Sequence, residues 1–185
     1  MNMPTFAFRY RLLFLLIVLG LSYQPGISRA ERAGEYQVKA AFLYHFSNFV
    51  EWPESTFEPT DGRLRICIIG KDPFGPILDT TLANKTVGDH RFEILRNPPS
   101  TQISSCHVLY LPSSHTSNLK ALRRQAGKGE VLTVGENLDF IKQGGMVHFF
   151  FEEQKVRFAV NPDAVNQTHL KMSSKLLRLA KIISR

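Results

Sequence analysis

Two cysteines, six histidines and a serine pair beside one of those histidines are the side chains of this sequence whose types could do chemistry. Cys67 and Cys106 are an isolated pair, and in an oxidising compartment such a pair joins. The bond would close a loop of about 40 residues, which chain entropy values at roughly 4 kcal/mol. It reads as a structural staple, with a redox-responsive pair as the alternative. His45, His90, His107, His115, His148 and His169 form no His-x-His and no HExxH, and no Cys-x-x-C is present, so neither a metal site nor a cofactor is expected. Ser113 and Ser114 precede His115 at the end of a predicted strand, where α/β sites gather. No G-x-S-x-G elbow surrounds them, which ranks a hydrolase last and leaves no catalytic residue to name. The loop Gly70-Lys71-Asp72-Pro73-Phe74-Gly75 follows a strand and opens a helix, a place where an anion meets backbone N–H groups. Lys71 and Asp72 are its candidate ligand-binding residues, against the plainer reading of a capped turn.

These residues must be positioned by alternating helices and strands. Residues 35–51 place Val38, Phe42, Phe46 and Phe49 at helical spacing until Pro53 stops them. The run 63–70 (RLRICIIG) reads as a strand, and Asp72-Pro73 as the cap and first turn of a helix carrying Ile77, Leu78 and Leu82. Strands are expected at 92–95, 106–111 and 131–134, and helices at 119–126 and around Phe140 and Ile141. Residues 146–151 and 156–160 are a hairpin's distance apart, Asn161-Pro162 starts a helix, and Ser173 caps a last one with Leu176, Leu179, Ala180 and Ile183 inward. The expected fold is α/β, a layered single domain with a mixed sheet of five to six strands flanked by helices.

The N-terminus reads as an export signal. Arg9 and Arg11 precede an apolar run at 12–21, about half of what a bilayer span needs, and Ser28-Arg29-Ala30 suits cleavage after Ala30. Residues 1–30 are therefore a signal peptide and 31–185 one exported domain without a transmembrane segment. Cleavage removes Arg9, Arg11 and Arg29, taking the formal charge from +7 to about +4. The remaining cations are too dispersed for a nucleic-acid partner. The exception is the C-terminal segment, where Lys171, Lys175, Arg178, Lys181 and Arg185 form a polar side suited to an acidic partner or to membrane headgroups. Tyr44, Trp52 and Phe57 at the end of the first helix exceed what one small core obviously needs, and aromatics so placed serve as interface anchors.

Several blocks together resemble the YfiR family of periplasmic proteins: EYQVKAAFLY from Glu35, FVEWP from Phe49, ICIIGKDPFG from Ile66, CHVLYL from Cys106, LTVG from Leu132, GGMV from Gly144, VRFAVN from Val156 and LKMSSKLLRLA from Leu170. The resemblance runs through the mature chain in order. It implies a periplasmic regulator, not an enzyme, often a homodimer, that binds the periplasmic part of an inner-membrane diguanylate cyclase and restrains cyclic-di-GMP signalling and biofilm formation. Cys67 and Cys106 match a family disulfide; the second cysteine pair of some relatives is absent. Tyr44, Trp52, Lys175, Arg178 and Lys181 are then candidate partner contacts. A periplasmic small-anion or nucleotide-binding module is the alternative.

Overall fold

In the computed structural model, residues 29–127 and 130–183 are described. Most of the expected signal peptide, residues 1–28, lies outside them, as does Arg185. The chain divides into a short unit, Met1–Arg32, and a larger one, Ala33–Arg185. No described helix is long and apolar enough to cross a membrane.

Helix α1 (Arg29–Phe49) brings Ala40, Leu43 and Phe46 to one side at a spacing of three, and all three are fully buried. It ends at Phe49: Pro53 has no N–H for the Phe49 carbonyl, which accepts from the Ser173 N–H instead, and strand β1 (Val50–Glu51) begins. β1 pairs antiparallel with β9 (Lys171–Met172) in a two-residue ribbon that ties the end of α1 to the C-terminal segment.

The main sheet has eight strands in the order β10-β8-β7-β6-β5-β2-β4-β3. Its centre is parallel: β4 (His90–Arg96), β2 (Leu64–Ile68), β5 (Val108–Leu111), β6 (Leu132–Gly135) and β7 (Val147–Glu152). β8 (Lys155–Val160) returns antiparallel to β7 through a turn at Glu153 and Gln154, both at positive φ. The six longer strands are those the sequence predicts. β3 (Thr86–Val87) and β10 (Lys181–Ile182) are two-residue additions at the edges.

Helices cover both faces. Along β2, Ile66 and Ile68 join the core under α1 while Cys67 between them joins the opposite core, the alternation expected of a strand buried on both sides. α2 (Pro76–Leu82), α5 (Pro162–Asn166) and α6 (Ser174–Leu179) contribute to the α1 side; α3 (Leu119–Ala126) and α4 (Leu138–Lys142) close the other. The Cys67–Cys106 disulfide lies in this second core, its Cα atoms 5.9 Å apart, and links β2 to the segment just before β5.

Two local expectations are corrected. Asp72-Pro73 does not start α2: Gly75 is its N-cap, with Pro76 in the first turn, and Asp72 turns back on the loop. Leu179 does not face inward, because α6 stops at that residue and the chain extends into β10. Ser173 does cap α6 by accepting from the Leu176 N–H at 3.3 Å, and Leu176 is buried, but Leu179 is 73% exposed.

Candidate functional site

The parallel strands leave β2 in opposite directions, toward β4 on one side and β5 on the other, so the sheet has a topological switch point whose carboxyl edge carries the loops after β2, β5 and β6. After β2, Gly70 adopts a positive φ, and the His115 ring lies where a Cβ would stand, 2.2 Å from that position. The Asn97 side chain brackets the same residue, accepting from its N–H at 2.5 Å and donating to its C=O at 2.8 Å. Asp72 accepts from the Phe74 N–H and pairs with Arg96 at 2.7 Å; Arg96 also reaches Asp79 and the Gly75 carbonyl. The loop is thus tied by its own partners, and Asp72 has both oxygens engaged. Lys71 is exposed beside it.

After β5, the Ser114 hydroxyl lies 2.9 Å from His115 Nδ1. Neither Asp nor Glu hydrogen-bonds this imidazole among the described residues, so the pair lacks the third group that orients a catalytic base. Among the described residues no group of three His, Cys, Asp or Glu is placed to hold a metal ion.

A polar cluster that the sequence reading missed sits after β6. Glu136 Oε1 accepts from Lys39 Nζ at 2.6 Å, from Tyr36 at 3.2 Å and from the Tyr110 hydroxyl, and Lys39 also pairs with Glu35 one turn before it. The Lys39 side chain is 4% exposed and that of Glu136 12%. Burial first, then the Glu136 charge, push the Tyr110 hydroxyl well above its ordinary range, so it remains a donor. A lysine in register with Tyr36, Ala40 and Leu43 on the buried side of α1 is the one signal that sequence offered; its partner is about a hundred residues away and had none.

The candidate interface residues fall in two settings. Tyr44 is half-buried, packed toward Phe92 with Lys85 Nζ 4.9 Å from its ring. Trp52 is also half-buried, its indole N–H donating to the Ser47 carbonyl at 3.3 Å and its ring edge on His107. Phe57 is buried, stacked between His90 and His107. By contrast Lys175, Arg178 and Lys181 are exposed. Lys175, Arg178 and Leu179 share one side of α6 by their spacing, and Ile182 next to Lys181 is about half exposed.

Residues 36–181 match the family described as YfiR/HmsC-like. No curated protein matches the chain in sequence. Among solved structures, it is similar to a conserved domain protein from Vibrio cholerae O1 biovar El Tor str. N16961, with a TM-score of 0.52 and 9% identity, over 81% of this chain and 60% of that one. It is similar also to the ABC domain in complex with L-Trp from Streptococcus pneumonia, with a TM-score of 0.50 and 8% identity, over 80% of this chain and 60% of that one. The chain thus spans 60% of the length of each, and at such identities the likeness is one of fold.

Proposed function

We propose, from the premise that this chain belongs to the YfiR/HmsC-like family, that it is a periplasmic negative regulator which binds the periplasmic part of an inner-membrane diguanylate cyclase and holds it inactive, restraining cyclic-di-GMP signalling and biofilm formation. The observation that carries this reading is the extent of the match, 36–181, which runs from α1 into β10 and leaves no second domain to carry another activity within that span. Regulation of this kind is a binding equilibrium: the protein shifts the cyclase toward its inactive state by as much as it prefers that state.

The surface best suited to the task is the C-terminal one. Lys175, Arg178 and Lys181 offer cations, Leu179 and Ile182 offer apolar contact, and Tyr44 and Trp52 add partly exposed ring edges elsewhere. Cys67 is fully buried and Cys106 nearly so, which favours a staple over a switch, since a reductant reaches the bond only after the fold opens.

The test is capture from solubilised inner membrane with the purified, disulfide-bonded protein as bait, with and without mild reductant, followed by cyclase assay of the recovered partner. A diguanylate cyclase is expected from both samples, inhibited in proportion to the bound regulator. Recovery from the oxidised sample alone would give the bond a controlling role, and recovery from neither would end the regulator reading for this chain.

A further inference from the structure

β6 and β7 are of unequal reach. β6 ends at Gly135, opposite His148, whereas β7 continues to Glu152. The Asn161 N–H donates to the Met146 carbonyl at 2.8 Å, and the two-residue alternation of an antiparallel ladder then points the Phe149 carbonyl and the main-chain groups of Phe151 away from β8, into the space where β6 has stopped. That space is a notch of about 420 Å³, within the range of small-molecule sites. Its walls are apolar, with Leu138 52% and Phe151 56% exposed, and Phe150 beside them.

The notch presents acceptors. Glu136 Oε1 takes all three of that side chain's donors, from Tyr36, Lys39 and Tyr110, and Oε2 takes none among the described residues. His148 is 95% buried and lines the same space. Its Nδ1 lies 3.0 Å from the Phe149 carbonyl, which only accepts, so Nδ1 carries the proton and Nε2 is left a lone-pair acceptor with no partner among the described residues. Burial lowers the His148 pKa, keeping the ring in this neutral form. Of the nearby donors, Lys39 gives two of its three N–H groups to Glu35 and Glu136, and the Asn137 amide gives one of its two to the Thr116 hydroxyl. Glu35, Glu136 and Lys39 together carry one net negative charge.

Two unpaired acceptors, a net negative floor and aromatic walls suit a group that donates, carries one positive charge and has a hydrocarbon body. We propose that the notch beyond the end of β6 binds a small organic ammonium ion, its N–H groups on Glu136 Oε2 and His148 Nε2 and its apolar part against Leu138 and Phe151. An anion is disfavoured there by both carboxylates, which separates this site from the Gly70–Gly75 loop. The inference is independent of the cyclase reading.

Hexylamine is the probe, with hexan-1-ol and hexanoate as controls of equal length lacking the positive charge. Calorimetric titration of the purified exported protein at about pH 7.5 is expected to give one saturable site for hexylamine, at least tenfold tighter than hexan-1-ol, with no uptake of hexanoate. Leu138→Arg places a cation at the rim on an already exposed position, so the melting temperature stays and hexylamine affinity falls at least tenfold. Glu136→Gln should abolish binding; because Glu136 also holds Tyr110 and Lys39, the rim variant decides if that protein does not fold. In the unmodified protein, the His148 Nε2 resonance should move on titration. Equal binding of the alcohol, unchanged affinity in Leu138→Arg, or no saturable heat up to about 10 mM would each overturn the assignment.

Discussion

His107 shows how one buried side chain sets a property of the whole fold. Its Nδ1 accepts the Arg65 N–H at 3.0 Å, Phe57 stacks on one face and the edge of Trp52 meets the ring. Its Nε2 is buried with no hydrogen-bond partner of good geometry. Desolvation, then the proximity of His90 and Arg65, lower its pKa from 6.5 to about 4; the Thr56 backbone alone favours the charged form. The unfolded chain therefore binds a proton between those values that the folded chain refuses, and stability rises with pH across that window. The contribution is fully present above about pH 7 and is lost as the pH falls toward about 4. Urea unfolding should show about 2 kcal/mol less stability at about pH 5 than at about pH 7, from this group alone. His148, lowered in the same direction, adds to the slope. His107→Asn, which keeps an acceptor for Arg65 but cannot titrate, should flatten most of it. An unchanged slope in that variant would assign the pH response to other groups.

At the scale of elements, α4 is held by a ring between two glycines. Phe140 is fully buried, and a Cβ built on Gly135 would lie 2.4 Å from its ring, one on Gly145 2.1 Å. Gly145→Ala should thus cost about 1–3 kcal/mol by overpacking, and Phe140→Leu in the same chain should recover part of it. Unfolding midpoints of the two variants decide this, and a midpoint for Gly145→Ala equal to the parent's would mean the ring has room to move. Most long elements were legible in the sequence because apolar period and punctuation agreed: the first helix before Pro53, the RLRICIIG strand, and the caps at Asn161 and Ser173, although Val38, placed on the apolar stripe of that helix, is 43% exposed and its buried side runs through Ala40, Leu43 and Phe46. β3 and β10 were not, since two residues carry no period and their pairing is decided by neighbours distant in sequence. Leu179 was misplaced for a related reason: helical spacing puts it with Leu176, but the helix gives way to an edge strand one residue later. The Lys39–Glu136 cluster was hidden because Glu136 stands alone after a strand and acquires meaning only when α1 is laid across the sheet.

For the molecule as a whole, the two settings of the candidate contacts predict different behaviour on substitution. Tyr44 and Trp52 are packed against the core beneath α1, so truncating either disturbs folding and binding together. Lys175, Arg178 and Lys181 make no ion pair among the described residues and lie on the surface, where substitutions leave stability within about 0.5 kcal/mol. If this face meets an acidic cyclase surface, each cation is worth up to about 1 kcal/mol at low salt, and reversing all three to glutamate removes about 3 kcal/mol, roughly a hundredfold in affinity. The parent complex should weaken steeply as ionic strength rises, while the reversed variant, already weak, responds little or in the opposite sense. Titrating cyclase inhibition with both proteins at two salt concentrations reads out both effects, and thermal melts confirm equal folding. Undiminished inhibition by the reversed variant would move the docking surface away from the β10 edge.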